Sequence, residues 1–290
     1  MGAKAGAAVT AARRTVEPGE LLRLADLSLA DYLRHLARWG GSVLEEDGLL
    51  CFAGAHPQPN PYRNGVLRLE GRLDGDEVVR RGRNFFSGRA ASFALWVREH
   101  ADADLEARAR GQSWRELERL PGLVLDRLPP ELPAPEGVEV RRVADAASRL
   151  AYLDVVANAW GFASLPGEVA ARVFFEPDSL DAPNVAAFVA SHRGTPLSGA
   201  MVFVTRGVAL GCQAATVRRV PPGTPLPPPA GEGARGLADS CLWAALRVGF
   251  EELGASLSLC QTSALGEPAW RALGYRPLTA YARYLVPARP

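Results

Sequence analysis

Prolines interrupt the chain near its middle, where residues 128–135 read Leu-Pro-Pro-Glu-Leu-Pro-Ala-Pro. Each proline fixes its own φ angle and lacks the backbone N–H group that a helix or a sheet ladder needs. A run of this density favours an extended, stiff connection between two domain-sized parts. We predict a disordered tail over residues 1–18, a first domain over 19–128, a linker over 129–136 and a second domain over 137–290.

The charges of the chain nearly cancel, with 33 lysines and arginines against 32 aspartates and glutamates. No overall field would draw nucleic acid or an anionic membrane to such a protein. Residues 1–14 also lack an apolar stretch long enough for a signal peptide or a membrane span. We therefore expect a cytoplasmic protein that binds neither nucleic acid nor membrane.

The cysteines and histidines, four of each, are scattered along the chain without a CxxC pair. Metal sites of the common kinds need closer ligand spacing, so the sequence predicts no metal site. Because each cysteine sits in an apolar stretch, we predict reduced thiols buried in the core.

The second part alternates between strand-like and helix-like patterns. In order, it is predicted to contain a strand (138–143), a helix (144–160), a short helix (166–175), three strands (185–191, 197–205 and 208–217), a helix from residue 237, a strand (257–261), a short helix (267–273) and a last strand (278–286). The helix from residue 237 carries an apolar stripe at steps of three and four, and Gly254 is predicted to end it. Trp243 lies on its other face, where it could contact the first domain or another subunit.

A glycine-rich turn precedes that helix, where residues 231–238 read Gly-Glu-Gly-Ala-Arg-Gly-Leu-Ala. In such a turn backbone N–H groups can converge, and the helix N-terminus adds about half a positive charge. The arrangement suits a diphosphate without needing a lysine. Taken alone, the same glycines are equally compatible with a flexible surface turn.

Two segments together resemble the signatures of the GNAT family of N-acetyltransferases. Residues 233–238 are similar to the family pattern Q/R-x-x-G-x-G/A, although Gly233 stands in place of the leading Gln or Arg. Residues 261–276 resemble the second signature, a strand, a short helix and an aromatic residue after glycine. The resemblance implies an α+β fold of two GNAT-like domains, each a mixed, mostly antiparallel sheet flanked by helices.

The resemblance also implies acetyl-CoA as co-substrate, no metal, and a small-molecule amine as acceptor. Backbone groups of Ala215, Thr216 and Val217 would hold the pantetheine arm, and Ser263 would lie near the cofactor. The pyrophosphate would lie on the glycine-rich turn, comprising Gly233, Ala234, Arg235, Gly236, Leu237 and Ala238. A neutral amine would then attack the thioester carbonyl directly.

Two departures from the family pattern leave questions open. Trp270 stands where the family usually has the tyrosine that protonates the leaving thiolate. Tyr281 or Tyr284, water or no acid at all could serve instead, although packing roles are favoured for both tyrosines. The long, proline-rich loop 218–232 could be a lid over the acceptor or a simple insertion. No catalytic residue is assigned, and an acyl-CoA-binding or partner-binding protein without turnover is the alternative function.

The first part shows a weaker echo of the second. It is predicted to contain a helix (28–39), strands (49–53, 66–70 and 91–97) and helical stretches (76–86 and 102–110). Aligning Gly111 with Gly274 places residues 93–97 over 256–260, which resembles tandem GNAT proteins, such as the mycothiol synthase type, in which one half has decayed. The turn at residues 74–77, Asp-Gly-Asp-Glu, would repel pyrophosphate. We therefore expect one cofactor site, in the second half, and leave a homodimer open.

Overall fold

A computed structural model describes residues 16–54, 63–89, 92–131, 133–160, 172, 176–217 and 236–287. The predicted helix at 166–175 and the proline-rich loop 218–232 fall almost entirely outside these residues. Within the described part of the chain, no helix is long and apolar enough to cross a membrane.

The first half contains three helices and five strands. In chain order these are α1 (Pro18–Arg38), β1 (Ser42–Glu46), β2 (Leu49–Ala53), β3 (Asn64–Arg68), α2 (Gly75–Phe86), β4 (Ser92–Arg98), α3 (Ala103–Gly111) and β5 (Arg115–Leu125).

The second half continues with β6 (Val138–Arg142), α4 (Ala146–Ala159), a 3-10 turn (Pro177–Asp181), β7 (Val185–His192), β8 (Thr195–Thr205), β9 (Val208–Thr216), α5 (Leu237–Glu251), β10 (Leu257–Gln261), α6 (Glu267–Ala272) and β11 (Arg276–Pro287). The described residues between β5 and β6, where the linker is predicted, form neither helix nor strand.

The described strands form one sheet in the order β1-β2-β3-β4-β11-β5-β10-β9-β8-β7-β6. Only β3–β4 and β9–β10 are parallel pairs. The two halves exchange their last strands: β11 pairs with β4 of the first half, and β5 pairs with β10 of the second. The predicted fold class, a mixed and mostly antiparallel α+β architecture, is confirmed, and the two halves share a single sheet.

Helices cover both faces of this sheet. On one face α1 packs against strands of both halves, and α4 packs beside it on the second half. On the other face α2 and α3 cover the first half, and α5 and α6 cover the second. The helix α1 therefore bridges the two halves on the face opposite α5.

Some predicted boundaries were wrong. Helix α1 begins at Pro18, ten residues before the predicted start, because the buried side chains of Leu21 and Ala25 extend its apolar stripe toward the N-terminus. The strands β1 and β5 were missed because charged residues fill much of each. The sequence of β1 is Ser-Val-Leu-Glu-Glu, and β5 begins Arg-Glu-Leu-Glu-Arg.

Two predictions concerned helix α5. Gly254 does follow this helix, with a positive φ of 75°. Trp243 donates its indole N–H to the carbonyl of Pro129, so its contact is with the predicted linker.

Candidate active site

The parallel strands β9 and β10 part before β9 ends. Their last paired residues are Gly211 and Cys260. Beyond this pair β10 has one more residue, Gln261, whereas β9 continues for five residues, 212–216. Among the described residues no ladder pair joins β9 to β10 past Gly211, so this stretch of β9 borders a gap in the sheet.

A β-bulge in β9 lies at the edge of this gap. The register of β8 and β9 shifts between the pairs Met201–Cys212 and Gly199–Ala215. Gln213, within the bulge, has a positive φ of 49°, which is uncommon for a residue with a side chain. Because a bulge bends its strand and sharpens the local twist, it directs the end of β9 away from β10.

The N-terminus of α5 lies beside the end of β9. Ser198 donates its hydroxyl to the carbonyl of Ala215 (2.8 Å) and lies 3.0 Å from the hydroxyl of Thr216. The carbonyl of Ser198 in turn accepts a long hydrogen bond from Cys241 in the first turns of α5 (3.6 Å). One buried serine therefore links two of the predicted pantetheine residues to this helix.

The first turn of α5 presents backbone N–H groups that helix geometry leaves without intrahelical acceptors. They include those of Leu237 and Ala238, two residues of the predicted pyrophosphate site. The N–H of Gly236 points to the carboxylate of Asp239 at 3.3 Å, in an exposed position. The other predicted turn residues, Gly233, Ala234 and Arg235, lie outside the described part of the chain.

Val217 and Ser263, two further residues of the predicted coenzyme site, make hydrogen bonds that hold the local fold. The N–H of Val217 donates to the carbonyl of Leu197 (2.9 Å), which extends the β8–β9 pairing. The hydroxyl of Ser263 accepts from the N–H of Gly266 (3.2 Å), and its carbonyl accepts from the N–H of Glu267 (3.0 Å). Ser263 thus shapes the turn that leads from β10 into α6.

Trp270 fills the helix side of the gap. Its ring lies against the α-carbon of Gly211, where no side chain could be accommodated without displacing the indole. It packs edge-on against Tyr275, with ring centroids 5.1 Å apart. The hydroxyl of Tyr275 lies 2.6 Å from that of Ser258. These contacts hold the indole at the point where β9 and β10 separate.

The opposite face of the gap is lined by polar groups under α1. Gln213 donates its side-chain N–H to the hydroxyl of Tyr32 (3.0 Å), and Tyr152 donates to the main-chain carbonyl of Gln213 (3.4 Å). Burial raises the pKa of both tyrosines well above the usual value, and raises the pKa of the Cys212 thiol to about 12. All three groups are therefore neutral at physiological pH.

In the first half the equivalent gap is short and filled. The strands β3 and β4 have Leu67 and Trp96 as their last pair, and β3 ends one residue later at Arg68. The buried guanidinium of Arg68 contacts Asp102 (2.9 Å) and Asp104 (2.5 Å). It also donates to the carbonyl of Leu73, so it spans the loop that leads into α2.

The α1 face of the first half is closed in the same way. If Trp96 is aligned with Leu259, the pair Arg98–Tyr281 matches the pair Gln261–Gly122 of the second half. Arg98 binds Asp102 through two nitrogens and Asp26 through a third (2.8 Å). A buried guanidinium and a phenol ring thus occupy positions where the second half has an amide and a glycine.

The N-terminus of α2 is also occupied. The side chain of Asp74 caps it by accepting the N–H of Glu77 (2.8 Å), and Asp76 and Glu77 add negative charge to the first turn. Among the described residues, an anion would meet three carboxylates there, against one, that of Asp239, at α5.

Known structures share this architecture, although no protein-family model and no curated protein matches the chain. A GCN5-related N-acetyltransferase from Kribbella flavida is 19% identical, with a TM-score of 0.65 over 92% of this chain and 96% of that one. A second, from Sphaerobacter thermophilus, is 16% identical, with a TM-score of 0.57 over 96% and 95%. A tandem GNAT protein from the clavulanic acid biosynthesis pathway is 14% identical, with a TM-score of 0.55 over 91% and 96%.

The chain has a tandem GNAT fold. At these identities the likeness concerns the fold, and it bears out the tandem GNAT resemblance seen in the sequence. Within this fold the described site residues gather around one gap, in the GNAT half formed by β6 to β10.

The two tyrosines considered as acids of this GNAT half have other partners. Tyr281 donates to Asp26 (2.9 Å) and Tyr284 donates to Glu116 (2.8 Å). Burial, as the largest cause, raises the pKa of both phenols. Both hydroxyls are thus committed to carboxylates of the first half, which makes them weaker proton donors.

Sequence reasoning missed several residues around the two gaps. Gln213 and Tyr32 carry no local signal, because the bulge and the position of α1 depend on the whole sheet. A signal for the closed half did exist at Arg98, which ends a strand and is followed within six residues by Asp102 and Asp104. Arg68 had no such signal, because its acidic partners lie more than 30 residues further along the chain.

Proposed function

We propose that the protein transfers an acetyl group from acetyl-CoA to the amine of a small molecule, at a single site in the second half. The observation that carries the proposal is the five-residue extension of β9 beside the N-terminus of α5, 212–216, which pairs with β8 but has no ladder partner on the β10 side among the described residues. The corresponding place in the first half is occupied by buried charged residues.

The residues at this gap fit the coenzyme. A strand edge without a neighbour offers main-chain donors and acceptors to the two amides of a pantetheine arm. The first turn of α5 offers N–H groups and a partial positive charge to a pyrophosphate. Asp239 opposes the anion, and its exposed carboxylate would have to leave the N–H of Gly236.

The reaction joins the amine nitrogen to the acetyl carbon and breaks the carbon–sulfur bond. The amine loses a proton and the thiolate gains one. Because Tyr32, Tyr152 and Cys212 stay neutral at physiological pH, they can orient groups by hydrogen bonds but are poor bases. The indole of Trp270 can donate a hydrogen bond but not a proton. A thiol has a pKa of about 8.5, so we propose that the thiolate leaves without an acid from the protein.

We place the acceptor on the α1 face of the gap. Helix α1 packs across the sheet there, and Tyr32 reaches the bulge at Gln213. The acceptor amine would approach the acetyl group between this helix and β9, with the first half forming one wall of its pocket.

Calorimetric titration with acetyl-CoA tests the site through Gly236→Val. A β-carbon at Gly236 meets only the Asp239 carboxylate, at 4.0 Å, and φ is −71°, so the fold accommodates the side chain. We expect the affinity to fall more than tenfold because the side chain blocks the approach to the amides. Gly71→Val, in an equally open position of the first half, is the matched control and should bind as the wild type does.

A thiol-release assay with a panel of amines separates the two candidate functions. Release of CoA with any amine supports the transferase. Acetyl-CoA binding without release across a broad panel would favour an acyl-CoA-binding role, which the tryptophan at position 270 makes the second candidate. An unchanged affinity in Gly236→Val would contradict the position of the site.

A further inference from the structure

The strand β1 ends the sheet with an unpaired edge. It pairs with β2 alone, and no other described strand lies beside it. Val43 is 40% exposed and Leu44 is 46% exposed, and because they are neighbours in a strand they point to opposite faces. Proteins usually protect such an edge with charged residues, proline or a covering element. This one carries glutamates at its end, Glu45 and Glu46, but its middle presents adjacent apolar side chains.

The other end of the sheet is protected differently. There β6 carries charged side chains at Glu139, Arg141 and Arg142, and Val138 and Val140 pack toward α5. In the second half β6 covers β7, the counterpart of β1. The described residues of the first half provide no strand in the corresponding place.

A groove of about 800 Å³ runs along β1 on the side of α2. Its floor is apolar and includes Leu49, Cys51 and Phe85. Leu44 lies at its outer rim, since it pairs with Cys51, which faces α2. An apolar side chain on a partner could therefore pack into this groove beside Leu44.

The two ends of the groove carry opposite charges. Arg89 follows the C-terminal end of α2 and lines the groove. It stacks on the ring of Phe85 (4.7 Å), donates to the Phe85 carbonyl and has no carboxylate partner among the described residues. Glu46, at the end of β1, is 67% exposed and has a single long contact with Arg81 (3.6 Å). Helix α2 connects the parallel strands β3 and β4, so it runs antiparallel to them and to β1, and its C-terminal end leads toward Ser42. Arg81, midway along the helix, pairs with Asp47 just after the end of β1.

We propose that β1 pairs antiparallel with β1 of a second copy of the chain, centred on Leu44. In that register Leu44 faces its own equivalent and Ser42 lies opposite Glu46 of the partner subunit. Because Arg89 lines the groove at the Ser42 end, its guanidinium, which has no carboxylate partner among the described residues, would meet that carboxylate. The two-fold symmetry of such a dimer would repeat the contact, so Arg89 of each subunit would pair with Glu46 of the other. The inference does not depend on the acetyltransferase proposal, since it concerns the opposite end of the sheet.

Sedimentation equilibrium of the full chain tests the dimer. We expect a mass twice the 31.0 kDa of one chain at micromolar concentration. Leu44→Arg should weaken the dimer at least tenfold with an unchanged circular dichroism spectrum. Leu150→Arg is the matched control, because Leu150 is 48% exposed on α4, and it should remain dimeric.

A charge exchange tests the register. Glu46→Arg and Arg89→Glu should each weaken the dimer, and the double variant should recover most of the loss. A monomeric wild type, a dimer that tolerates Leu44→Arg, or a double variant no tighter than the single ones would each overturn the proposal.

Discussion

Gln213 and Tyr32 are joined by a hydrogen bond of 3.0 Å, although 181 residues separate them in the chain. The first lies in the bulge where the sheet of the second half opens, and the second lies on the helix that begins the first half. The first half therefore contributes a wall to the open gap, although its own gap is filled. Together with the exchange of β5 and β11, this makes each half necessary to the structure of the other.

Tyr32→Phe should lower the free energy of unfolding by about 1–2 kcal/mol, because a buried side-chain amide loses its acceptor. The oxygen of the same amide has no partner among the described residues, so the amide cannot easily compensate. Urea denaturation measures the change. Equal stability of the two proteins would mean that this bond is not formed in solution.

Asp102→Asn should destabilise the first half strongly. Asp102 is fully buried and lies between Arg68 and Arg98 at 2.9 and 2.8 Å. Removing its charge leaves two buried guanidinium groups short of a counter-charge, at a cost of about 3–5 kcal/mol. Thermal and urea unfolding check the value.

Glu20→Gln is the control for this variant. Its partner Arg23 is 63% exposed, and solvent screening leaves such an exposed pair little effect on stability. If Asp102→Asn lowered the free energy of unfolding no more than Glu20→Gln does, the buried ion pairs of Asp102 with Arg68 and Arg98 would not be formed as described.

The four cysteines should resist thiol reagents in the folded protein. All are buried, and burial raises the pKa of Cys51, Cys212 and Cys241 to about 12 and that of Cys260 well above its usual value. At pH 8 a thiol with a pKa of 12 is ionised in about one molecule in ten thousand, and the thiolate is the reactive form. A chromogenic disulfide should label none of the four before unfolding and all of them in denaturant. Rapid labelling of the native protein would contradict this.

Asp239→Asn should tighten acetyl-CoA binding about two- to fivefold. The carboxylate accepts the N–H of Gly236 at the helix N-terminus, where an added anion would compete with it and be repelled. A charge at this position is worth about 0.3–1 kcal/mol. Titration calorimetry at low salt measures the difference, and weaker binding by the variant would show that the carboxylate assists the coenzyme.

The sequence contained enough to predict the second half almost element by element. The helix α5 and the strands β7 to β10 have clear local periodicity, and their order carried the family resemblance. The exchange of β5 and β11 was not predictable, because it depends on pairing between residues more than 130 positions apart, such as Gln261 and Gly122. The bulge at Gln213 was missed for a related reason, since no glycine or asparagine marks its positive φ.

The coenzyme site stays a prediction, and the structure shows only where its described residues lie. Ala215, Thr216, Leu237 and Ala238 do lie together, because a strand end and a helix start recur in adjacent positions of this fold. Ser263 and Val217 proved to have structural hydrogen bonds that sequence alone did not indicate. The buried charges of the first half were seen only as an acidic turn, and the arginines that fill its gap were not recognised.

A crystal structure of the protein with acetyl-CoA is the most direct test of the central claim. The account predicts pantetheine along residues 212–216 of β9, pyrophosphate at the amides of Leu237 and Ala238, and no coenzyme between β3 and β4. Coenzyme bound in the first half, or a gap beside β9 that stays empty at saturating acetyl-CoA, would contradict it.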